Sequence, residues 1–235
     1  MFKLAEDWGA AGRPYRDAVV DTLIDMMTGD ASIVMLEADL GGASGTLKIQ
    51  KALPSQFIEC GISEANMMGV AAGMSSEGFI PFVHTFGPFA TRRAFDQVYL
   101  SGAYAHNTLN IWGSDPGFTV GANGGTHTTW EDVALMRTIP DAVVVDGADP
   151  VQTEWVVREF SKSRGIHYLR CGRKASYKIY EEGSTFELGK GNVIRRGTDV
   201  LIVTAGQLVK DALDSADGLE GQGISAEVID MFCIK

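Results

Sequence analysis

The 235-residue chain is long enough for one large domain or two small ones, and its 45% hydrophobic and 21% charged residues are ordinary for a globular protein. A net charge of −10 without any basic cluster argues against nucleic acids or anionic membranes as partners. No apolar run reaches the roughly 18 residues of a membrane span, and the N-terminus lacks a signal-peptide pattern. The distant cysteines Cys60, Cys171 and Cys233 predict neither a metal site nor a disulfide framework, which favours a reducing cytoplasm.

Short apolar runs alternate with longer segments along the first 170 residues. The pattern predicts strands at 32–39, 57–60, 80–85, 109–112, 142–146 and 167–170, and helices at 13–27, 65–76, 90–105, 129–137 and 150–161. Such alternation is typical of an α/β fold, a three-layer α/β/α arrangement with a parallel sheet. Ligands of such sheets bind at the C-terminal strand ends, where Asp39, Glu64, Phe86 and the loop 113–127 are expected to converge.

A change of composition at 174–185 separates a second unit. Strand, turn and helix are predicted over 197–217, followed by a strand at 226–231. We expect one domain at 12–175 and a partial C-terminal α/β domain at 186–235. About 50 residues is small for an independent α/β domain, so this unit either leans on the first or is truncated.

Glu64 is the most informative residue, because it is the one acid within the uncharged segment 61–74. A carboxyl buried without a partner stays protonated and can donate a hydrogen bond to a ring nitrogen. The alternative is a carboxylate stabilised by a helix N-terminus. His84 lies next to the aromatic pair Phe86 and Phe89; it is predicted to be a core histidine, with a position facing the ligand site as the alternative. Ser114 and Asp115 are predicted to have no histidine near enough for a hydrolase triad.

Four segments in order resemble motifs of the transketolase family. Glu37-Ala38-Asp39-Leu40 is similar to S-A-D-L, 61–67 to G-I-A-E-Q-N-M, 85–89 to T-F-x-x-F, and 120–127 to V-G-E-D-G-P-T-H. The chain therefore resembles the C-terminal half of a transketolase, most of all the C-terminal subunit of a transketolase split over two chains. The resemblance implies a pyrimidine-binding domain, followed by the first part of the family's third domain.

The resemblance also implies thiamine diphosphate as cofactor, and it gives Glu64 the hydrogen bond to the pyrimidine ring nitrogen. Phe86 and Phe89 correspond to the aromatics against the pyrimidine, and Asp39 to an acid lining the same cleft. Plain core packing of the phenylalanines and a turn or cap role for Asp39 remain alternatives.

For the substrate, the resemblance implies that His127 contacts the carbonyl or a hydroxyl, with a structural histidine as the alternative. Arg16 and Arg173 fall near positions that hold a sugar phosphate, which arginine binds in pairs of hydrogen bonds, although both can equally be surface charges. Asn123 stands where the family has an acid for the donor's second hydroxyl, and Asp115 stands where it has a histidine. These departures predict a modified ketose or an unusual acceptor.

No G-D-G motif for the diphosphate and its metal occurs in the chain. By the resemblance, the diphosphate and the Mg²⁺ ligands come from an N-terminal transketolase subunit, in an α2β2 assembly. The expected reaction is transfer of a two-carbon ketol unit from a ketose or ketose phosphate to an aldose. The alternatives are the β subunit of a 2-oxo-acid dehydrogenase, an enzyme like deoxyxylulose phosphate synthase, and a non-catalytic scaffold.

Overall fold

The computed structural model describes residues 1–119 and 121–235. Within them the strands are β1 (Ala11–Pro14), β2 (Ile33–Glu37), β3 (Phe57–Glu59), β4 (Ile80–Phe86), β5 (Leu109–Ser114), β6 (Val143–Asp146), β7 (Ile166–Cys171), β8 (Ala175–Tyr177), β9 (Asn192–Arg195), β10 (Val200–Thr204) and β11 (Ala226–Asp230). The α-helices are α1 (Tyr15–Gly29), α2 (Gly41–Ser44), α3 (Leu47–Ala52), α4 (Glu64–Ser76), α5 (Gly87–Ala90), α6 (Phe95–Gln97), α7 (Asp132–Thr138), α8 (Pro150–Phe160) and α9 (Leu208–Glu220). Val120, the first residue of the fourth motif, lies outside the described residues.

Six parallel strands form the main sheet in the order β3-β2-β4-β5-β7-β6. One face packs on α1 and α8 through a core that includes Leu23 and Phe160, and the other on α4 through Met67 and Met68. All five residues of β2 are buried, as expected for a parallel strand covered on both faces. The predicted three-layer α/β/α architecture is confirmed.

A second, three-stranded sheet has the order β10-β11-β9, with β10 parallel and β9 antiparallel to β11. Helix α9 packs on it through Val209, Leu213 and Ala216. Residues 232–235 then run along the edge of the main sheet, where the Asp146 amide donates to the Phe232 carbonyl at 2.9 Å. The second unit thus rests on the first.

The predicted helix at 90–105 is wrong in its first third. The short helix α5 begins at Gly87 with Pro88 in its first turn, a turn follows at 91–94, and after α6 a π-helix covers Val98–Tyr104. Gly102 in this π-helix packs so closely that an added Cβ would lie 2.8 Å from Leu109 and from Ile166. The helix predicted at 129–137 begins three residues later, at Asp132.

Two short pairings were not predicted from the sequence. β1 forms an antiparallel ribbon with β8, and β9 joins the second sheet. No residue of either ribbon strand is buried, and neither sequence shows the apolar–polar alternation that reveals a half-buried strand. Within the described residues, no helix is long and apolar enough to cross a membrane.

Buried acids connect the two units. Asp230 on β11 accepts hydrogen bonds from Gln152 on α8 at 2.8 Å and from the Tyr180 hydroxyl at 2.5 Å. Asp149 caps α8 and accepts from the backbone amides of Gln152 and Tyr180, both at 2.8 Å. Burial raises the pKa of both carboxyls to about 6, although the hydrogen bonds oppose the increase.

Because these two pKa values lie above the ordinary 3.8, the folded state holds protons that the unfolded chain has released. Their contribution to stability is fully present below about pH 4 and is lost as the pH rises through 6. We expect Asp230→Asn to reduce the stability difference between pH 5 and pH 7.5 by about 1 kcal/mol, in urea unfolding at both pH values. Asp199→Asn, at an exposed turn, is the control. An unchanged difference in Asp230→Asn would show that this carboxyl does not titrate there.

Candidate active site

A cleft of about 280 Å³ opens at the C-terminal ends of β2 and β4, beside the start of α4 and the loop before α7. Its lining contains five residues that the sequence predicts for the site and five others. They are Asp39, Glu64, Phe86, Phe89 and His127, together with Ala38, Leu40, Ile62, Arg93 and Thr126. Residues distant in sequence meet here because parallel strands end at one edge of the sheet.

Glu64 is the first residue of α4, and its side chain is only 3% exposed. It is buried but not alone, since Nη1 of Arg93 donates to its Oε1 at 2.6 Å. The guanidinium of Arg93 also lies over the ring of Phe89, with Cζ 3.7 Å from the ring centroid. A partner 29 residues away leaves no local signal, so the sequence did not reveal this ion pair.

Three rings form one wall of the cleft. The centroid of the His127 imidazole is 5.3 Å from that of Phe89 and 6.0 Å from that of Phe86, in edge-on orientations. The Thr126 hydroxyl lies 2.8 Å from Nδ1 of His127. This contact orients the imidazole, and the adjoining phenyl rings make the wall apolar.

Asp39 lies at the mouth of the cleft in a left-handed backbone conformation with a φ of 58°. The acid at the end of β3 stabilises this turn, because Oε1 of Glu59 accepts from the amides of Asp39 at 2.8 Å and of Gly61 at 2.9 Å. Asp39 itself is exposed at the rim of the cleft.

Arg173 lies beside Phe86, which is one of the residues lining the cleft. Its Nε is 2.6 Å from Oδ2 of the buried Asp115, and its Cζ is 5.1 Å from the Phe86 ring centroid. Burial raises the pKa of Asp115, and the charge of Arg173 counteracts that increase. Asp115 is therefore the ion-pair partner of Arg173.

Of the predicted substrate residues only His127 lines this cleft, whereas Arg16, Asn123 and Arg173 do not. Nη1 of Arg16 donates to the Ala43 carbonyl at 3.1 Å, beside the segment that follows β2. Asn123 ends the 3₁₀ turn Gly121–Asn123 in the loop that carries His127.

The prediction that no histidine lies near Ser114 is wrong. Nε2 of His84 is 3.0 Å from the Ser114 hydroxyl, and its Nδ1 is 2.9 Å from Oε1 of Glu37. All three side chains are fully buried, so the arrangement is closed to substrates. It instead cross-links β2, β4 and β5 just before Asp39, Phe86 and Asp115. The available signal in the sequence was the presence of two polar residues within buried strands, Glu37 in the first motif and His84 before the third.

This fold and site can be compared with known proteins. Residues 11–178 match the family model for the transketolase pyrimidine binding domain, and residues 189–235 match that for the transketolase C-terminal domain. The chain is 42% identical over 233 residues to the 6-deoxy-6-sulfo-D-fructose transketolase subunit SqwH of Clostridium sp., covering 99% of this chain and 70% of the relative. It is 36% identical over 221 residues to one subunit of the apulose-4-phosphate transketolase of Phocaeicola vulgatus, covering 94% of this chain and 71% of that relative.

A solved structure described as a split gene transketolase, inactive beta4 tetramer, superposes with a TM-score of 0.86 at 37% identity, over 94% of this chain and 72% of that one. An α/β fold with a six-stranded parallel sheet and a smaller second sheet is thus the architecture of transketolase pyrimidine and C-terminal domains. The chain belongs to the transketolase family. The resemblance to subunits of split transketolases is confirmed.

Proposed function

We propose that this chain is the pyrimidine-binding subunit of a two-chain transketolase, which transfers a two-carbon ketol unit from a ketose to an aldose. The observation that carries the proposal is the convergence of Glu64, Phe86, Phe89 and His127 on one cleft. A buried acid beside two aromatic rings suits a flat nitrogen heterocycle, which needs a hydrogen-bond donor at its edge and an apolar surface at its face.

The residues present fit thiamine diphosphate. When bound, this cofactor supplies a carbanion at C2 of its thiazolium ring, which it stabilises by its own electronic structure. The Glu64 carboxyl would hold the pyrimidine ring nitrogen by a hydrogen bond. Phe86 and Phe89 pack against the ring and exclude water, while Asp39 lines the rim of the cleft.

We assign His127 to the sugar substrate. Because the Thr126 hydroxyl lies at Nδ1, the Nε2 end of the imidazole is left for a substrate hydroxyl or carbonyl oxygen. Asn123 in the same loop is assigned to a donor hydroxyl, and Arg16 and Arg173 to an anionic group of the sugar. The two relatives are named for a sulfonated and a phosphorylated ketose, which supports an anionic ketose as donor.

The diphosphate and its Mg²⁺ are assigned to a partner, the N-terminal diphosphate-binding subunit, in an α2β2 complex. In the ranges 1–119 and 121–235, no three His, Cys, Asp or Glu side chains cluster as ligands. We propose domain limits of 12–175 and 186–235 for this chain. The free thiols of Cys60, Cys171 and Cys233 suit a reducing cytoplasm.

The test is affinity purification of the tagged chain from its own cells, followed by mass spectrometry of what elutes with it. We expect a stoichiometric partner containing a G-D-G motif, and ketol transfer by the complex once thiamine diphosphate and Mg²⁺ are added. A partner of unrelated sequence and no binding of thiamine diphosphate would instead support the scaffold alternative.

A further inference from the structure

The side chain of Arg93 covers the two groups that a pyrimidine ring would need. Its Nη1 is 2.6 Å from the buried Oε1 of Glu64, and its Cζ is 3.7 Å from the centroid of Phe89. The adjacent Arg92 makes a different pair, with Oε1 of Glu131 at 2.8 Å. Glu64 is therefore engaged by one particular arginine, and not by the local positive charge in general.

These contacts conflict with the proposed role of Glu64. Oε1 of Glu64 already accepts a hydrogen bond from Nη1 of Arg93, so this oxygen is not available to a pyrimidine ring nitrogen. A cation 3.7 Å above an aromatic ring also takes the face on which a flat heterocycle would stack. Arg93 and a pyrimidine ring thus compete for the same acid and the same aromatic face.

The side chain of Arg93 can rotate away from Glu64 and Phe89 while the backbone stays in place. Its side chain is 45% exposed, and it projects from the turn 91–94 between α5 and α6. Its backbone amide donates to the Pro88 carbonyl at 3.3 Å, so the turn can stay in place while the side chain rotates. The exposed side chain needs only rotamer changes, and these are fast in solvent.

We propose that Arg93 is an internal competitor of the cofactor, which occupies Glu64 and Phe89 in the free chain and must swing out before the aminopyrimidine binds. This inference rests on the proposed function. It makes cofactor loading a displacement reaction, in which an arginine salt bridge and a cation–π contact are given up. Removal of the guanidinium therefore strengthens and accelerates binding.

The experiment compares Arg93→Met with wild type in the complex purified through the tagged chain and freed of cofactor by dialysis against a chelator. Thiamine diphosphate with Mg²⁺ is titrated by calorimetry, and association is followed by stopped-flow tryptophan fluorescence. We expect Arg93→Met to bind about tenfold more tightly, as befits loss of a half-exposed ion pair and a cation–π contact. Arg92→Met, which removes an arginine of similar exposure, is the matched control and should bind as wild type does.

Equal or weaker binding by Arg93→Met would overturn the inference, because Arg93 would then not oppose the cofactor. Should Arg93→Met fail to assemble, Arg93→Lys decides the question. It keeps the charge but loses the flat guanidinium, so a smaller gain in affinity is expected, and no gain counts against the proposal. Failure of the wild-type complex to bind thiamine diphosphate at all would instead contradict the proposed function.

Discussion

Glu64→Gln in the assembled complex is expected to lower ketol-transfer turnover by about a thousandfold while leaving the assembly intact. A glutamine amide fills the same volume at the start of α4 and can donate an N–H, but it has no acidic proton to share with a ring nitrogen. General acid–base groups of this kind typically contribute about 10²–10⁴ in rate. The measurement is turnover with saturating cofactor and ketose, together with size-exclusion chromatography of the complex.

The matched control for Glu64→Gln is Glu131→Gln. Glu131 also pairs with an arginine, Arg92, but it is partly exposed and lies outside the lining of the cleft. We expect this variant to keep wild-type turnover. Turnover of Glu64→Gln within a few-fold of wild type would refute the assignment of Glu64 and would return the carboxyl to a structural role at the helix N-terminus.

The layered fold could be predicted because its signals are local. Runs such as 33–37 and 143–146 are apolar throughout most of their length and are bounded by polar or glycine residues, so each predicts a strand buried on both faces. The small-residue helix α4 was predicted to within one residue of its start. The π-helix Val98–Tyr104 was not, because the close packing of Gly102 on β5 and β7 is a tertiary constraint.

The sequence indicated which residues line the site, but it did not indicate the ion pairs that these residues and their neighbours form. The motifs indicated Glu64, Phe86, Phe89 and His127, and the sheet edge brings them together. The ion pair of Glu64 with Arg93 joins two elements that only the folded chain brings into contact. The same holds for the pair between Asp115 and Arg173, which spans 58 residues of sequence and depends on the adjacency of β5 and β7.

Glu37 and His84 form one buried pair, but replacing His84 is expected to destabilise the protein more than replacing Glu37. Burial acts to raise the pKa of Glu37, but the charge and hydrogen bond of His84 and the hydroxyl of Thr46 hold that pKa below its ordinary value. His84→Gln leaves a carboxylate without a cation in a fully buried place, and we expect it to cost about 3–5 kcal/mol in urea unfolding.

Glu37→Gln should cost less, about 1–2 kcal/mol, because the amide oxygen can still accept from the Thr46 hydroxyl and no carboxylate is left buried without its partner. The double variant of Glu37→Gln with His84→Gln then distinguishes an effect of charge from an effect of packing. If an uncompensated charge is what destabilises His84→Gln, adding Glu37→Gln to it removes that charge and raises stability. A double variant less stable than His84→Gln alone would show that the two positions contribute by packing. Because these side chains cross-link the strands that end at Asp39, Phe86 and Asp115, recovery of stability should be accompanied by recovery of cofactor binding.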